Sequence, residues 1–96
     1  MSIPPAALLG AAILSEVMAT TALKASDGFT RLGPSLLAGL GYCISFYLLA
    51  QVMKSIPTGV VYAVWSGLGI VLISVVGWAV YGEKLDTAAV VGMAMI

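Results

Sequence analysis

Of 96 residues, 61% are hydrophobic and 8% charged, with a mean hydropathy of +1.13, more apolar surface than one small soluble core can hide. Four basic residues (Lys24, Arg31, Lys54, Lys84) balance four acids (Glu16, Asp27, Glu83, Asp86), which argues against nucleic acid as a partner. With one cysteine, Cys43, and no histidine, an intrachain disulfide is excluded and a His or Cys metal cluster has no ligands, so neither metal nor cofactor is expected.

The chain reads as an all-α integral membrane protein, one transmembrane domain over 1–96, in which apolar runs alternate with short polar connections. The first run, 3–23, spans about 30 Å at the helical rise, enough to cross a bilayer's hydrocarbon core. Pro4 and Pro5 suit a first helical turn, where the N–H groups they lack would be unpaired anyway. A secretory signal peptide is disfavoured, because no positive residue precedes the run and a glutamate interrupts it.

That glutamate, Glu16, lies roughly 20 Å from one end of the run and about 10 Å from the other, too deep to snorkel to water. An ionisable group so placed costs several kcal/mol on an isolated helix and belongs in a bundle interior or a wet cavity. Two readings stand: a polar residue hydrogen-bonded to a neighbouring helix, or a site for protons and cations. Small neighbours at three and four residues, among them Ala12, Ala19 and Thr20, leave room around the carboxylate.

The segment 24–33 is the longest connection and belongs at a membrane surface. The second run, 34–53, opens at Pro34 and carries Ser35, Gly39 and Cys43 at every fourth position, a stripe that a helix can approach closely. After the tight turn Lys54-Ser55-Ile56 the third run, 57–81, places Tyr62, Trp65, Ser66 and Gly69 on one face. Such a face either holds an organic cation by cation–π attraction or serves packing and the interfacial belt. Tyr42 and Phe46, one turn apart on the second run, pose the same choice more weakly, whereas Trp78 and Tyr81 read as belt anchors. Gly67 and Gly69 mark the expected bend.

Gly82 suits a helix end, and Asp86 or Thr87 the next N-cap. The fourth run, 87–96, is about 15 Å of helix, half of a span, and is expected to be an incomplete fourth helix, with Ala88 and Gly92 on a close-packing face. So incomplete a bundle encloses no substrate path alone, and at least a dimer is expected.

The segments Ser15-Glu16-Val17, Thr20 to Lys24, Gly28-Phe29-Thr30-Arg31, Pro34-Ser35, Ile56-Pro57-Thr58-Gly59, Tyr62 to Gly69 and Lys84-Leu85-Asp86 run in one order from the first helix through Gly92. In these the chain resembles the small multidrug resistance family of bacterial inner-membrane exporters. The resemblance implies a four-transmembrane-helix protomer and an antiparallel homodimer inserted in both orientations. It implies that Glu16 of each protomer binds protons or a cationic aromatic substrate, that Tyr62 and Trp65 line the pocket, and that Tyr42 and Thr20 lie near it. Ser45 and Phe46 are added to the expected pocket. Guanidinium exporters of the family usually carry a tryptophan three residues after the acid. Here that position is Ala19, which favours bulky quaternary ammonium substrates.

The expected activity is proton-coupled antiport by alternating access, not enzymatic catalysis. A lipophilic cation and a proton each neutralise one buried carboxylate, so binding of one expels the other. The alternatives are a guanidinium/proton exporter of the same family and a structural membrane subunit that transports nothing.

Overall fold

The computed structural model describes residues 3–95, so Met1, Ser2 and Ile96, the ends of the expected domain and fourth run, lie outside the described residues. Four helices follow in order: α1 (Pro5–Ala25), α2 (Leu32–Val52), α3 (Thr58–Tyr81) and α4 (Thr87–Met95). The first three are long and apolar enough to cross a membrane. Large apolar side chains such as Leu14, Met18, Leu36, Leu40, Val71 and Val75 point outward, as lipid-facing helices require and as water would penalise.

Prolines set the helix starts. Pro4 and Pro57 sit in extended geometry just ahead of α1 and α3, and the Pro4 carbonyl accepts the N–H groups of Ala7 and Leu8 at 3.0 and 3.1 Å. α2 begins two residues before the expected Pro34. Its boundary is Arg31, extended at φ −102°, whose carbonyl accepts the Ser35 N–H at 3.1 Å. Pro34 thus lies inside the first turn, where its missing N–H leaves no bond unmade.

The first connection is shorter than 24–33 because both flanking helices extend into it. It winds around Ser26, which is fully buried. The Ser26 hydroxyl donates to the Leu23 carbonyl at 2.6 Å and accepts the Phe29 N–H at 3.1 Å, while the Ser26 carbonyl accepts the N–H groups of Thr30 and Arg31. Asp27, Gly28 and Phe29 are all left-handed, at φ 50°, 68° and 67°. That run reverses the chain at about 1–2 kcal/mol for each non-glycine residue, which the bonds to Ser26 offset.

α3 continues unbroken through Gly67 and Gly69 and ends at Gly82, whose φ of 66° a side chain would strain. Asp86, not Thr87, caps α4: its Oδ1 accepts the Ala89 N–H at 2.8 Å.

α1 is the central element, packed closely on α2 and along part of α3, while α2 and α3 barely meet. α4 rests lightly on α3, through the Ser74 hydroxyl and the Met93 sulfur 3.1 Å apart, and buries none of its residues. Ala12, Ala19, Ala38 and Ser45 are buried between α1 and α2, where a methyl group added to Gly41 would stand 2.7 Å from the Ala19 Cβ. This close approach uses the 38/41/45 face of α2. The Ser35–Gly39–Cys43 stripe points elsewhere, with Gly39 and Cys43 exposed. Leu9, Ile13 and Val17 of α1 meet Val52 of α2 and Val61 of α3 in an apolar cluster that joins the three helices.

Candidate functional site

Glu16 lies midway along α1 and is half-buried. One turn further on, the Thr20 hydroxyl donates to Glu16 Oε1 at 2.9 Å. The same Thr20 oxygen is 2.8 Å from the Tyr42 hydroxyl on α2. Threonine has a single hydroxyl proton and spends it on the carboxylate, so Tyr42 is the donor in the second bond. A directed chain results, Tyr42 to Thr20 to Glu16, that orients the acid. Tyr42 reaches α1 because its neighbour Gly41 lets the two backbones close at this level.

The other side of the carboxylate faces a cavity of about 300 Å3 between α2 and α3, with α1 at its back. Tyr42 and Phe46 supply one wall, their rings stacked at 6.3 Å between centroids and 20° between planes. Tyr62, Trp65 and Ser66 supply the opposite wall, and Leu49, Met53 and Val61 the apolar floor. Trp65 is half-buried against the apolar cluster, beside Gly69, while Tyr62 (71% exposed) and Phe46 (60%) leave one side open.

One carboxylate among aromatic faces, with no basic side chain in the lining, is complementary to an organic cation. The volume is at the small end of ligand sites, large enough for a compact aromatic or quaternary cation. Such a cation would find a counter-charge at the back and ring faces on both sides.

The structure gathers Glu16, Tyr42, Phe46, Tyr62 and Trp65 around this cavity and sets Thr20 behind the acid. Ser45 is elsewhere. It is fully buried and donates to the Ala12 carbonyl at 3.0 Å, because the residue before Phe46 is rotated about 100° away from the cavity and faces α1. The sequence reading missed Leu49 and Met53, whose signal was their spacing of three and seven residues beyond Phe46 on the same face of α2.

At the far end of α1, Lys24 pairs with Glu83 and lies 5.1 Å from the Tyr81 ring centre. Tyr81, expected as a belt anchor, donates its hydroxyl to the Thr21 carbonyl at 2.7 Å. Trp78 remains exposed.

Comparison with known proteins identifies the family. The family described as Small Multidrug Resistance protein matches residues 6–96. The multidrug transporter EmrE of Escherichia coli strain K12 is 54% identical over 92 residues, covering 96% of this chain and 84% of that protein. The quaternary ammonium compound-resistance protein QacE of Escherichia coli is 56% identical over 85 residues, 88% of this chain and 77% of that protein. A putative ethidium bromide resistance protein of Salmonella typhimurium is 56% identical over 85 residues, 88% of this chain and 74% of that protein. With a match over nearly its whole length and relatives more than half identical, the chain belongs to the small multidrug resistance family of bacterial inner-membrane proteins, which are transporters and not enzymes.

Proposed function

We propose that the protein exports lipophilic and quaternary ammonium cations in exchange for protons, by alternating access, with cation and proton competing for Glu16. The observation that carries this reading is the placement of one carboxylate at the back of a cavity walled by Tyr42, Phe46, Tyr62 and Trp65. A bare carboxylate at bilayer depth is costly, and either a proton or an organic cation relieves that cost. Aromatic faces add about 2 kcal/mol or more for a desolvated cation and nothing for a bound proton, so they recruit substrate without blocking its displacement. The names of the relatives, quaternary ammonium compound-resistance and ethidium bromide resistance proteins, support a bulky rather than a small cation.

The working unit under this reading is an antiparallel homodimer. One side of the cavity is open at Phe46 and Tyr62, and α2 and α3 carry apolar side chains beyond what α1 and α4 cover. In an inverted copy, Trp65, about 12 Å from one membrane face, falls near 18 Å from that face, close to the depth of the first copy's Glu16. The second copy then closes the cavity with its own aromatic wall. Accessibility labelling that found every Lys54 on one side of the membrane would rule out this pairing.

Transport into sealed vesicles tests the reading. Under an outwardly directed proton gradient the protein should concentrate a bulky quaternary ammonium ion far more than guanidinium. Accumulation that ignored the gradient would reject proton coupling, and a preference for guanidinium would reject the substrate class.

A further inference from the structure

A second cavity, of about 100 Å3, lies between the C-terminal halves of α1 and α3. It is lined by Thr20, Thr21, Ile73, Val76 and Tyr81, with Lys24 and Glu83, each half in solvent, at its outer end. Glu16, Thr20 and Lys24 follow at intervals of four residues, so a polar stripe runs up α1 from the buried carboxylate to the membrane surface. Its length is about 12 Å. The cavity has room for about three waters at ~30 Å3 each, with hydroxyl, carboxylate and ammonium groups in its lining.

Thr20 joins the two cavities: it lines the second and hydrogen-bonds the carboxylate that lines the first. Its oxygen gives its proton to Glu16 and uses one lone pair for Tyr42, which leaves a second lone pair for a further donor. The other titratable groups around this junction are Tyr42 on α2, Tyr62 and Tyr81 on α3, and Lys24 and Glu83 at the outer end.

We propose that the smaller cavity is a proton entry route, separate from the cation's, in which water at the Lys24–Glu83 end is connected to Glu16 through the Thr20 hydroxyl. A hydronium in the cavity gives a proton to Thr20 Oγ1 while the proton already on that oxygen passes to Glu16 Oε1. One O–H bond forms as another breaks on Thr20, the threonine ends as it began, and Glu16 ends neutral. Release is into the aromatic cavity when that cavity is open to the other side of the membrane and an entering cation displaces the proton, so the proton enters and leaves by different passages and crosses the membrane. This rests on the proton-coupled reading above.

The test measures two rates on the same vesicles: proton-driven uptake of a labelled quaternary ammonium ion, and its exchange for unlabelled ion at equal pH, which needs no proton. Their ratio does not depend on how much protein folds. In the unaltered protein, absence of proton-driven uptake would reject the proton-coupled reading itself. With that uptake present, Ile73→Trp, which fills the smaller cavity from a position outside the aromatic one, should lower the ratio roughly tenfold or more. Thr20→Val should lower it similarly, and Thr20→Ser should restore it. A ratio unchanged in Ile73→Trp would mean that protons arrive by the cation's own path, and a ratio unchanged in Thr20→Val would remove threonine from the route; either overturns the proposal.

Discussion

The two faces of α1 are built to opposite ends. Toward α2 it presents Ala12 and Ala19, and α2 answers with Gly41 and Ser45, so the backbones close until no methyl group fits at Gly41. A quarter-turn away it presents Glu16, held by Thr20, to a gap that α2 and α3 leave open. Lipid is as apolar as leucine, so burying apolar surface gives helices little reason to associate, and small-residue contacts with a cross-helix hydrogen bond must do so. The tight face therefore holds Tyr42 at the depth of Glu16, and the open face uses what is held.

Substitutions separate the two faces, and the largest effect belongs to the open one. Glu16→Gln should abolish proton-coupled export while the protein still inserts and dimerises, because glutamine keeps the shape and hydrogen bonding but cannot ionise. Vesicle uptake read beside cross-linking of the dimer checks it; a dimeric variant that still concentrates quaternary ammonium ions would return Glu16 to a structural role.

On the tight face Gly41→Leu should separate α1 from α2 at a cost of about 1–3 kcal/mol or more, lowering the unfolding midpoint in detergent. Gly39→Leu, on the exposed side of the same helix, should leave that midpoint nearly unchanged. Equal effects would remove the distinction between the faces.

Trp65→Ala should weaken bulky aromatic cations by about 2 kcal/mol, roughly 30-fold, and leave proton binding in place, since the ring supplies cation–π attraction and the carboxylate does not. Titration with the cation, at fixed pH, reads this directly. Ser45→Ala should cost about 0.6–1 kcal/mol of stability and leave cation affinity unchanged, because its hydroxyl serves the Ala12 carbonyl. A small effect is also expected for Glu83→Gln, whose ion pair with Lys24 is half in solvent and worth less than about 1 kcal/mol to stability.

Much of this was legible in the sequence for physical reasons. A lone charge in an apolar run has few tenable places in a bilayer, so Glu16 declared itself, and the spacing of Tyr62 and Trp65 put both rings on one side of α3. Prolines marked the helix starts to within two residues, and the miss at α2 came from treating Pro34 as the first helical residue when a first turn accepts it further in. Periodicity assigns faces but not partners. Nothing in the spacing of α2 distinguished Gly41 from Gly39 as the point of close approach, because the helix is apolar on every side and no polar face orients it. The same ignorance put Ser45 beside Phe46 in the pocket and hid the bonds from Tyr42 to Thr20 and from Tyr81 to the Thr21 carbonyl.

Competition for one carboxylate is the central claim, and proton release on cation binding tests it most directly. Detergent-solubilised protein in weakly buffered solution with a pH indicator should release protons when a bulky quaternary ammonium compound is added, in proportion to the cation bound, and Glu16→Gln should release none. Tight cation binding by the unaltered protein with no proton released, over a pH range in which export is proton-driven, would contradict the account.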